Sequence, residues 1–330
     1  MLLTVKNFRS HDSCTVEFTD GMNIITGING SGKTSLIEAI YIALLGKSWR
    51  SNFDEITKKD GLGDWWRIDL NLNNDTRIVK YKKGSKEFII NDKIYRRFPT
   101  SQRLPVILFE PNDMQLLYGS PARRRDFFDR IIGIIYPDHQ SNVNKFTRVL
   151  RQRNNLLKQE YYSLDELVVW NKQMVDLSRK ISLQRKCLIE KINQTLQQEY
   201  EMIAKQEDSI KLRFVPGVPS GLDLDYALQQ DPGNTHIGAQ KDDIAFIFNG
   251  KFAKTAASRG ENRTILFALL AVISKLVRSI YGYAVILLDD IDSELDEVHR
   301  QNLYATSVFQ EHTIATTLAY SGDKCNIIKL

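Results

Sequence analysis

Eight residues near the start of the chain carry the clearest chemistry. Gly27-Ile28-Asn29-Gly30-Ser31-Gly32-Lys33-Thr34 fits the pattern G-x4-GK[ST]. Glycines let a backbone curl its N–H groups around phosphate oxygens, and a helix starting at the end of the loop points its positive dipole end at the same anion. In that arrangement Lys33 reaches the β- and γ-phosphates of ATP, and the Thr34 hydroxyl binds Mg²⁺. A second feature is Leu287-Leu288-Asp289-Asp290, an apolar run ending in two carboxylates. A buried strand of this kind delivers its last residues to the C-terminal edge of a sheet, where such sheets bind ligands. Adjacent ionised carboxylates repel, and a nearby Mg²⁺ relieves the repulsion. Asp289 is therefore the expected metal ligand, through water, and Asp290 the residue that orients or deprotonates an attacking water. Capping of a following helix is the competing reading of the pair.

Three further stretches bear on how such a site would be completed. Ser258-Arg259-Gly260-Glu261 opens a predicted helix, so a serine hydroxyl, a glycine backbone and a helix N-terminus make a second anion site, although an ordinary capped helix fits as well. Two anion sites with a single phosphate loop suggest use in trans. ABC-type ATPases clamp ATP between the loop of one subunit and the signature of another, and this stretch resembles their signature. Ser293-Glu294-Leu295-Asp296 stands at the spacing of the ABC D-loop, S-x-L-D. The transporter switch histidine has no obvious counterpart, because His312 precedes its strand; Thr316 is the candidate γ-phosphate sensor.

The elements that must position these residues follow from local pattern. Residues 1–20 alternate as two strands, 22–26 form a short apolar strand, and a helix over 33–45 stops at Gly46. Strands are expected within 66–95, over 104–109, at 244–248, at 284–288 and at 312–316, with helices over 261–279 and 294–310. From Pro121 to about Glu207 the chain is polar and helix-favouring, and helices near 139–160 and 165–207 are expected to pair as a short antiparallel arm. The expected fold is α/β: an ABC-type P-loop ATPase lobe with a mixed sheet, and an inserted helical lobe. The lobes divide as 1–120 and 236–330 for the ATPase, and 121–235 for the helical part.

Bulk composition narrows the class. The 330 residues are 42% hydrophobic and 26% charged, as in a globular protein. Apolar stretches such as 284–288 are too short to cross a bilayer, and no signal pattern opens the chain, so a cytoplasmic location without a membrane is expected. Three scattered cysteines exclude a disulfide framework or a zinc CxxC pair. Between Arg123 and Lys158 nine Lys/Arg stand against three Asp/Glu, which exceeds the whole chain's net charge of +5. Arg123, Arg124, Arg125, Arg148, Arg151 and Arg153 are the candidate contacts to a polyanion. Cations contacting phosphates give affinity without reading bases, so sequence-independent, salt-sensitive binding is expected; an internal salt bridge is the alternative for each arginine.

The chain also resembles the RecF family nearly end to end. The resemblance rests on Asn7-Phe8-Arg9, on Leu36–Ile40 through Gly46-Lys47-Ser48, on Phe109–Asp113 with Gly119–Pro121 and Arg123–Arg125, and on Ser258–Thr264. It implies an ATP-clamped homodimer with slow, DNA-stimulated ATP hydrolysis. It implies binding to duplex DNA, favouring junctions with single strands, and work with RecR and RecO. The sequence departs from the family at Ser31, at Gly238–Asp243 and at Ser48–Ser51. A transporter ATPase would carry LSGGQ, and other SMC-like ATPases need long coiled coils, often with a CxxC hook; neither is evident. Another SMC-like DNA-repair ATPase, or an ATP-dependent DNA scaffold that does not hydrolyse, is the remaining alternative.

Overall fold

A computed structural model describes residues 1–57, 63–229, 231, 233–290, 312–318 and 325–330. The chain falls into two compact units, one of residues 1–113 with 274–330, the other of 114–273. Residues 236–273 thus cluster with the middle of the chain, whereas the sequence groups them with the C-terminal part of the ATPase lobe.

In the first unit the two strand orientations occupy separate sheets. One is a five-stranded parallel sheet in the order Asn326–Lys329, Met22–Thr26, Thr313–Thr317, Val285–Leu288, Val106–Phe109. Met22–Thr26, Thr313–Thr317, Val285–Leu288 and Val106–Phe109 are buried along their whole length without alternation, as in a sheet covered on both faces. The other is a six-stranded antiparallel meander that pairs Leu2–Phe8 with both His11–Glu17 and Trp65–Leu72, then continues through Asp75–Lys82, Ser85–Ile90 and Lys93–Tyr95.

The helix Lys33–Leu45 is apolar nearly all round because residues of both sheets cover it. Leu36, Ile37 and Ile40 share a core with Val5, Trp66 and Ile68 of the antiparallel sheet, and with Ile25, Leu108 and Leu287 of the parallel one. Gly46 ends this helix in the left-handed region (φ 72°), with its N–H donating to the Ile42 carbonyl at 2.8 Å. A Cβ at Gly46 would lie 2.2 Å from Phe98 Cβ, so both backbone and packing demand glycine.

The second unit is built on helices Pro121–Ile135, His139–Leu157 and Leu164–Asn193, with a three-stranded antiparallel sheet of Ile210–Val215, Asp243–Phe248 and Lys251–Phe252. The second and third helices pack through Phe146, Val149, Met174 and Val175, and through Leu156, Leu157 and Leu167. The longer has 30 residues, about 45 Å at 1.5 Å per residue, so the arm is short. It begins at an N-cap, where Ser163 Oγ accepts the Glu166 N–H. The helix expected over 165–207 is interrupted, and Leu196–Ala204 is separate. The cause is Asn193, whose side chain donates to the Leu212 carbonyl and accepts from the Leu212 N–H, each at 2.8 Å. This fastens the helix end to the strand Ile210–Val215, whose apolar residues alternate with Lys211 and Arg213.

The helix Arg259–Tyr281 is long and apolar enough to cross a membrane by length and composition, which attention to shorter runs overlooks; most of its apolar window is buried inside the protein, as in a core helix.

Arg153 corrects one expectation. Its side chain is 0% exposed, and its donors go to Asn171 Oδ1 (2.7 Å), Asp231 Oδ2 (3.0 Å), Thr235 Oγ1 (2.6 Å) and the Leu228 carbonyl (2.6 Å). It ties the arm to the segment that returns from it and cannot reach a nucleic-acid phosphate. Arg153→Ala should lower unfolding stability by about 3–5 kcal/mol, because a buried carboxylate loses its partner. Its exposed neighbour supplies the control: Arg151→Ala should stay within about 0.5 kcal/mol of wild type in urea titrations.

Candidate nucleotide-binding site

The phosphate loop leaves the buried strand Met22–Thr26 and enters the helix Lys33–Leu45, all within the first unit. Residues 28–30 are exposed at its tip. Gly32 is the N-cap of the helix and sits in the left-handed region at φ 98°. A Cβ there would lie 2.2 Å from His11 Nε2 and 2.6 Å from Ser10 Oγ, so the turn between the first two strands bears directly on the loop. His11 Nε2 also stands 3.2 Å from the Gly32 carbonyl. The Lys33 ammonium folds back to donate to the carbonyls of Gly27 (2.6 Å) and Ile28 (3.0 Å), which places its charge over the loop. Ser31, where the loop departs from the family pattern, has a buried Oγ without a hydrogen-bond partner.

Across from the loop, the strand Val285–Leu288 ends at Asp289. The Asp289 N–H donates to the Phe109 carbonyl at 2.8 Å. Its Oδ1 accepts two hydroxyl protons, from Thr34 at 2.9 Å and from Thr316 at 2.8 Å. Thr316 Oγ1 in turn accepts the Asp290 N–H at 2.7 Å, and Asp290 adopts φ 49°. Asp289 is 7% exposed. Burial pushes its carboxyl above the usual carboxylate range; the hydroxyl bonds of Thr316 and Thr34 and the charge of Arg50 pull the other way, and Asp290 adds to the rise. A cation close by would offset that cost.

The donor set suits Mg²⁺: a hydroxyl and one carboxylate are hard oxygen ligands, and Mg²⁺ keeps most of its shell as water and substrate oxygens. Among the described residues no cluster of three or more His, Cys, Asp or Glu side chains could hold a metal by itself.

Beside this site lies a charged cluster that sequence reasoning missed. Glu38, on the phosphate-loop helix, is fully buried. Its oxygens accept from Arg9 Nε (2.9 Å) and Nη2 (2.8 Å), from Arg50 Nη2 (2.5 Å) and from Ser48 Oγ (2.6 Å). Burial alone would raise the Glu38 carboxyl, but the Arg9, Arg50 and Ser48 bonds outweigh it and hold it below the usual range. Arg9, Glu38 and Ser48 fall in stretches resembling the family, whereas Arg50 falls in Ser48–Ser51, where the sequence departs from it. Their separation along the chain hid the single network they form.

The other sequence-selected residues fare differently. Ser258 and Glu261 form a reciprocal capping box in the second unit, with Ser258 N donating to Glu261 Oε2 (2.5 Å) and Glu261 N donating to Ser258 Oγ (3.2 Å). Arg259 and Gly260 open the same helix, and a Cβ at Gly260 would meet nothing. Ser293, Glu294, Leu295 and Asp296 lie outside the described residues. Arg124 is bidentate to Asp243 (2.7 and 2.9 Å) and Arg125 donates to the Asp242 carbonyl (2.8 Å), so both brace the second unit. Arg123 is half-buried, whereas Arg148 and Arg151 are exposed.

A family model described as an AAA domain matches residues 2–213. The DNA replication and repair protein RecF of Geobacillus thermodenitrificans is 30% identical, covering 99% of this chain and 94% of its own. The chain belongs to the RecF family. A Staphylococcus aureus RecF is 29% identical over 97% of this chain and 93% of its own. Among solved structures, the recombination mediator RecF–ATPrS of the RecFOR pathway superposes with a TM-score of 0.83 at 23% identity, covering 100% of this chain and 95% of that one. An Smc head bound to the C-winged helix domain of ScpA reaches 0.54 at 16% identity, covering 96% and 89%. The fold is thus the RecF fold, related to SMC heads.

Because Glu38 is held below its ordinary value, its contribution to stability is present above that value and fades as pH falls through it. Glu38→Gln should therefore destabilise the protein at pH 7. The gap to wild type should narrow below about pH 4 in denaturant titrations. A gap that does not change with pH would show that Glu38 is not folded as a charged group.

Proposed function

We propose that this chain is an ATP-dependent, duplex-DNA-binding ATPase of replication and recombinational repair. The observation that carries the reading is the junction of Thr34, Asp289 and Thr316, where the phosphate loop meets a buried carboxylate at the end of a parallel strand. The loop pattern takes a nucleoside triphosphate, and a related RecF structure containing ATP favours ATP.

The loop N–H groups and Lys33 take the phosphates. Thr34 and Asp289 would hold Mg²⁺, which would supply positive charge to offset that of the phosphates. Asp290 orients and deprotonates the attacking water. Keeping two adjacent carboxylates against a buried edge is costly for a protein that only clamps nucleotide, which favours hydrolysis over a passive scaffold. Closure follows from pairing Gly27–Thr34 of one copy with Ser258–Glu261 of another, so ATP holds a homodimer together and slow hydrolysis releases it. Binding to duplex DNA near single-strand junctions, stimulation of ATP turnover by DNA, and cooperation with RecR and RecO complete the reading, by likeness to the family.

Contacts to DNA go to phosphates. In the second unit the exposed Arg148 and Arg151 remain suited to this. In the first unit the antiparallel sheet exposes Lys82, Lys83 and Lys86 around one turn, with Lys93, Arg96 and Arg97 following. In the sequence, residues 77–103 carry nine Lys/Arg against two Asp/Glu, a denser basic run than the segment 123–158.

Lys33→Ala should abolish ATP binding. Asp290→Asn should bind ATP, accumulate the dimer in analytical ultracentrifugation and lose at least about 100-fold in turnover. Normal hydrolysis by Asp290→Asn would remove it as the base, and a wild-type protein that stays monomeric when saturated with ATP on DNA would end the clamp model. Replacing Lys82, Lys83 and Lys86 by Ala should weaken duplex binding equally across sequences. It should also reduce the slope of log K against log salt by about 1 for each phosphate no longer neutralised. An unchanged slope would take those lysines out of the interface.

A further inference from the structure

We propose that Thr316 is a positioning residue that sets the two carboxylates for hydrolysis, and that it does not itself touch the γ-phosphate. The inference deepens the hydrolysis reading above and rests on it.

A threonine hydroxyl has one proton and two acceptor lone pairs. The Thr316 proton goes to Asp289 Oδ1, 2.8 Å away, and one lone pair accepts the Asp290 N–H, 2.7 Å away. What is left is a single acceptor site. An ionised phosphate oxygen is also an acceptor and gains nothing from it. To donate to a phosphate, Thr316 would have to abandon Asp289, whose buried carboxylate would lose one of the two hydroxyl donors on its Oδ1. Thr316 is 1% exposed on a strand with a neighbour on either side, so its hydroxyl has little room to turn.

The sheet register explains the placement. Thr313–Thr317 runs parallel to Val285–Leu288 with Ala315 opposite Leu288, so residue 316 comes level with the end of the neighbouring strand. There the chain leaves the sheet through Asp290, which holds a left-handed backbone at φ 49°. That conformation is uncommon for residues other than glycine, although Asp adopts it more readily than most. The bond from Asp290 N–H to Thr316 holds it in place. A single hydroxyl therefore fixes the oxygen that Asp289 directs at the metal and the backbone from which Asp290 extends.

Thr34 plays a different part. Its proton also goes to Asp289, but its lone pairs stay open for a cation, so the two threonines divide the work of holding and of ligating.

The test is a double-mutant cycle with metal binding measured alongside. Thr316→Val removes the hydroxyl at nearly constant volume. Its turnover should fall about 10–100-fold, the range for losing an outer-shell partner of a metal ligand, while ATP affinity stays within about 3-fold. Thr316→Ser should restore turnover to within a few-fold of wild type. In an Asp290→Asn background Thr316→Val should cost less turnover than it does in wild type, because the part of its contribution that runs through Asp290 is already lost and only the part through Asp289 remains. Mn²⁺ affinity in the presence of ATP, followed by electron paramagnetic resonance, should weaken in Thr316→Val. Thermal unfolding checks that the variant is folded; if it is not, Thr316→Ala deletes the same hydroxyl without an added methyl and is measured in its place. Normal turnover in either folded variant overturns the proposal. So does a selective loss of ATP over ADP binding that multiplies with Asp290→Asn, the signature of direct phosphate contact. If wild type shows no hydrolysis, the reading of the site as a hydrolase fails by itself; unchanged Mn²⁺ affinity in Thr316→Val would then overturn the positioning role independently.

Discussion

Oδ1 of Asp289 receives hydroxyl protons from Thr34 and Thr316, and so joins the first turn of the phosphate-loop helix to the ends of two neighbouring strands. The three residues come from distant parts of the chain, and they meet only if the parallel sheet has its observed order. Met22–Thr26 must lie beside Thr313–Thr317, and Thr313–Thr317 beside Val285–Leu288. A carboxylate at this depth tolerates its burial only with such donors. The sheet order and the polar contact therefore enforce each other: the strands bring the donors, and the buried acid penalises any arrangement without them.

The rest of the first unit secures the helix that carries Thr34. Two sheets share a core around it, so its apolar character all round is a requirement of position. One buried charge interrupts that surface. Glu38 is kept ionised by Arg9 from the turn after the first strand and by Arg50 from the segment after the helix. Arg50 also lowers the carboxyl of Asp289 through its charge, so the segment that clasps Glu38 contributes to the electrostatics of the metal-binding acid. The residues that mark the family at Asn7–Arg9 and near Ser48 thereby have a physical reason to be near the site without touching phosphate.

Features that depend on neighbours in sequence were legible, and features that depend on distant partners were not. The phosphate-loop helix runs from Lys33 to Leu45 as its glycines announce, because Gly32 and Gly46 each impose a local backbone state. The strand Val285–Leu288 declares itself as an unbroken apolar run. By contrast Asn326–Lys329 is four residues long and gains its identity from pairing with Met22–Thr26 at the opposite end of the sequence. Arg153 looks like a member of a solvated basic run, and its true partners Asp231 and Thr235 lie too far along the chain to suggest burial. The interruption after Asn193 follows from a bond to Leu212, which no helical periodicity could announce. At Thr316 spacing locates a hydroxyl but not the direction of its proton.

The contact of His11 with Gly32 bears on the phosphate loop. The imidazole and the Ser10 hydroxyl occupy the space where any side chain at position 32 would stand, which pins the rear of the loop against the antiparallel sheet. The front is unpinned, with Ile28 79% exposed and Lys33 held by carbonyls it can release. Position 32 therefore has no room for any side chain, whereas residues 28–30 stand exposed at the tip.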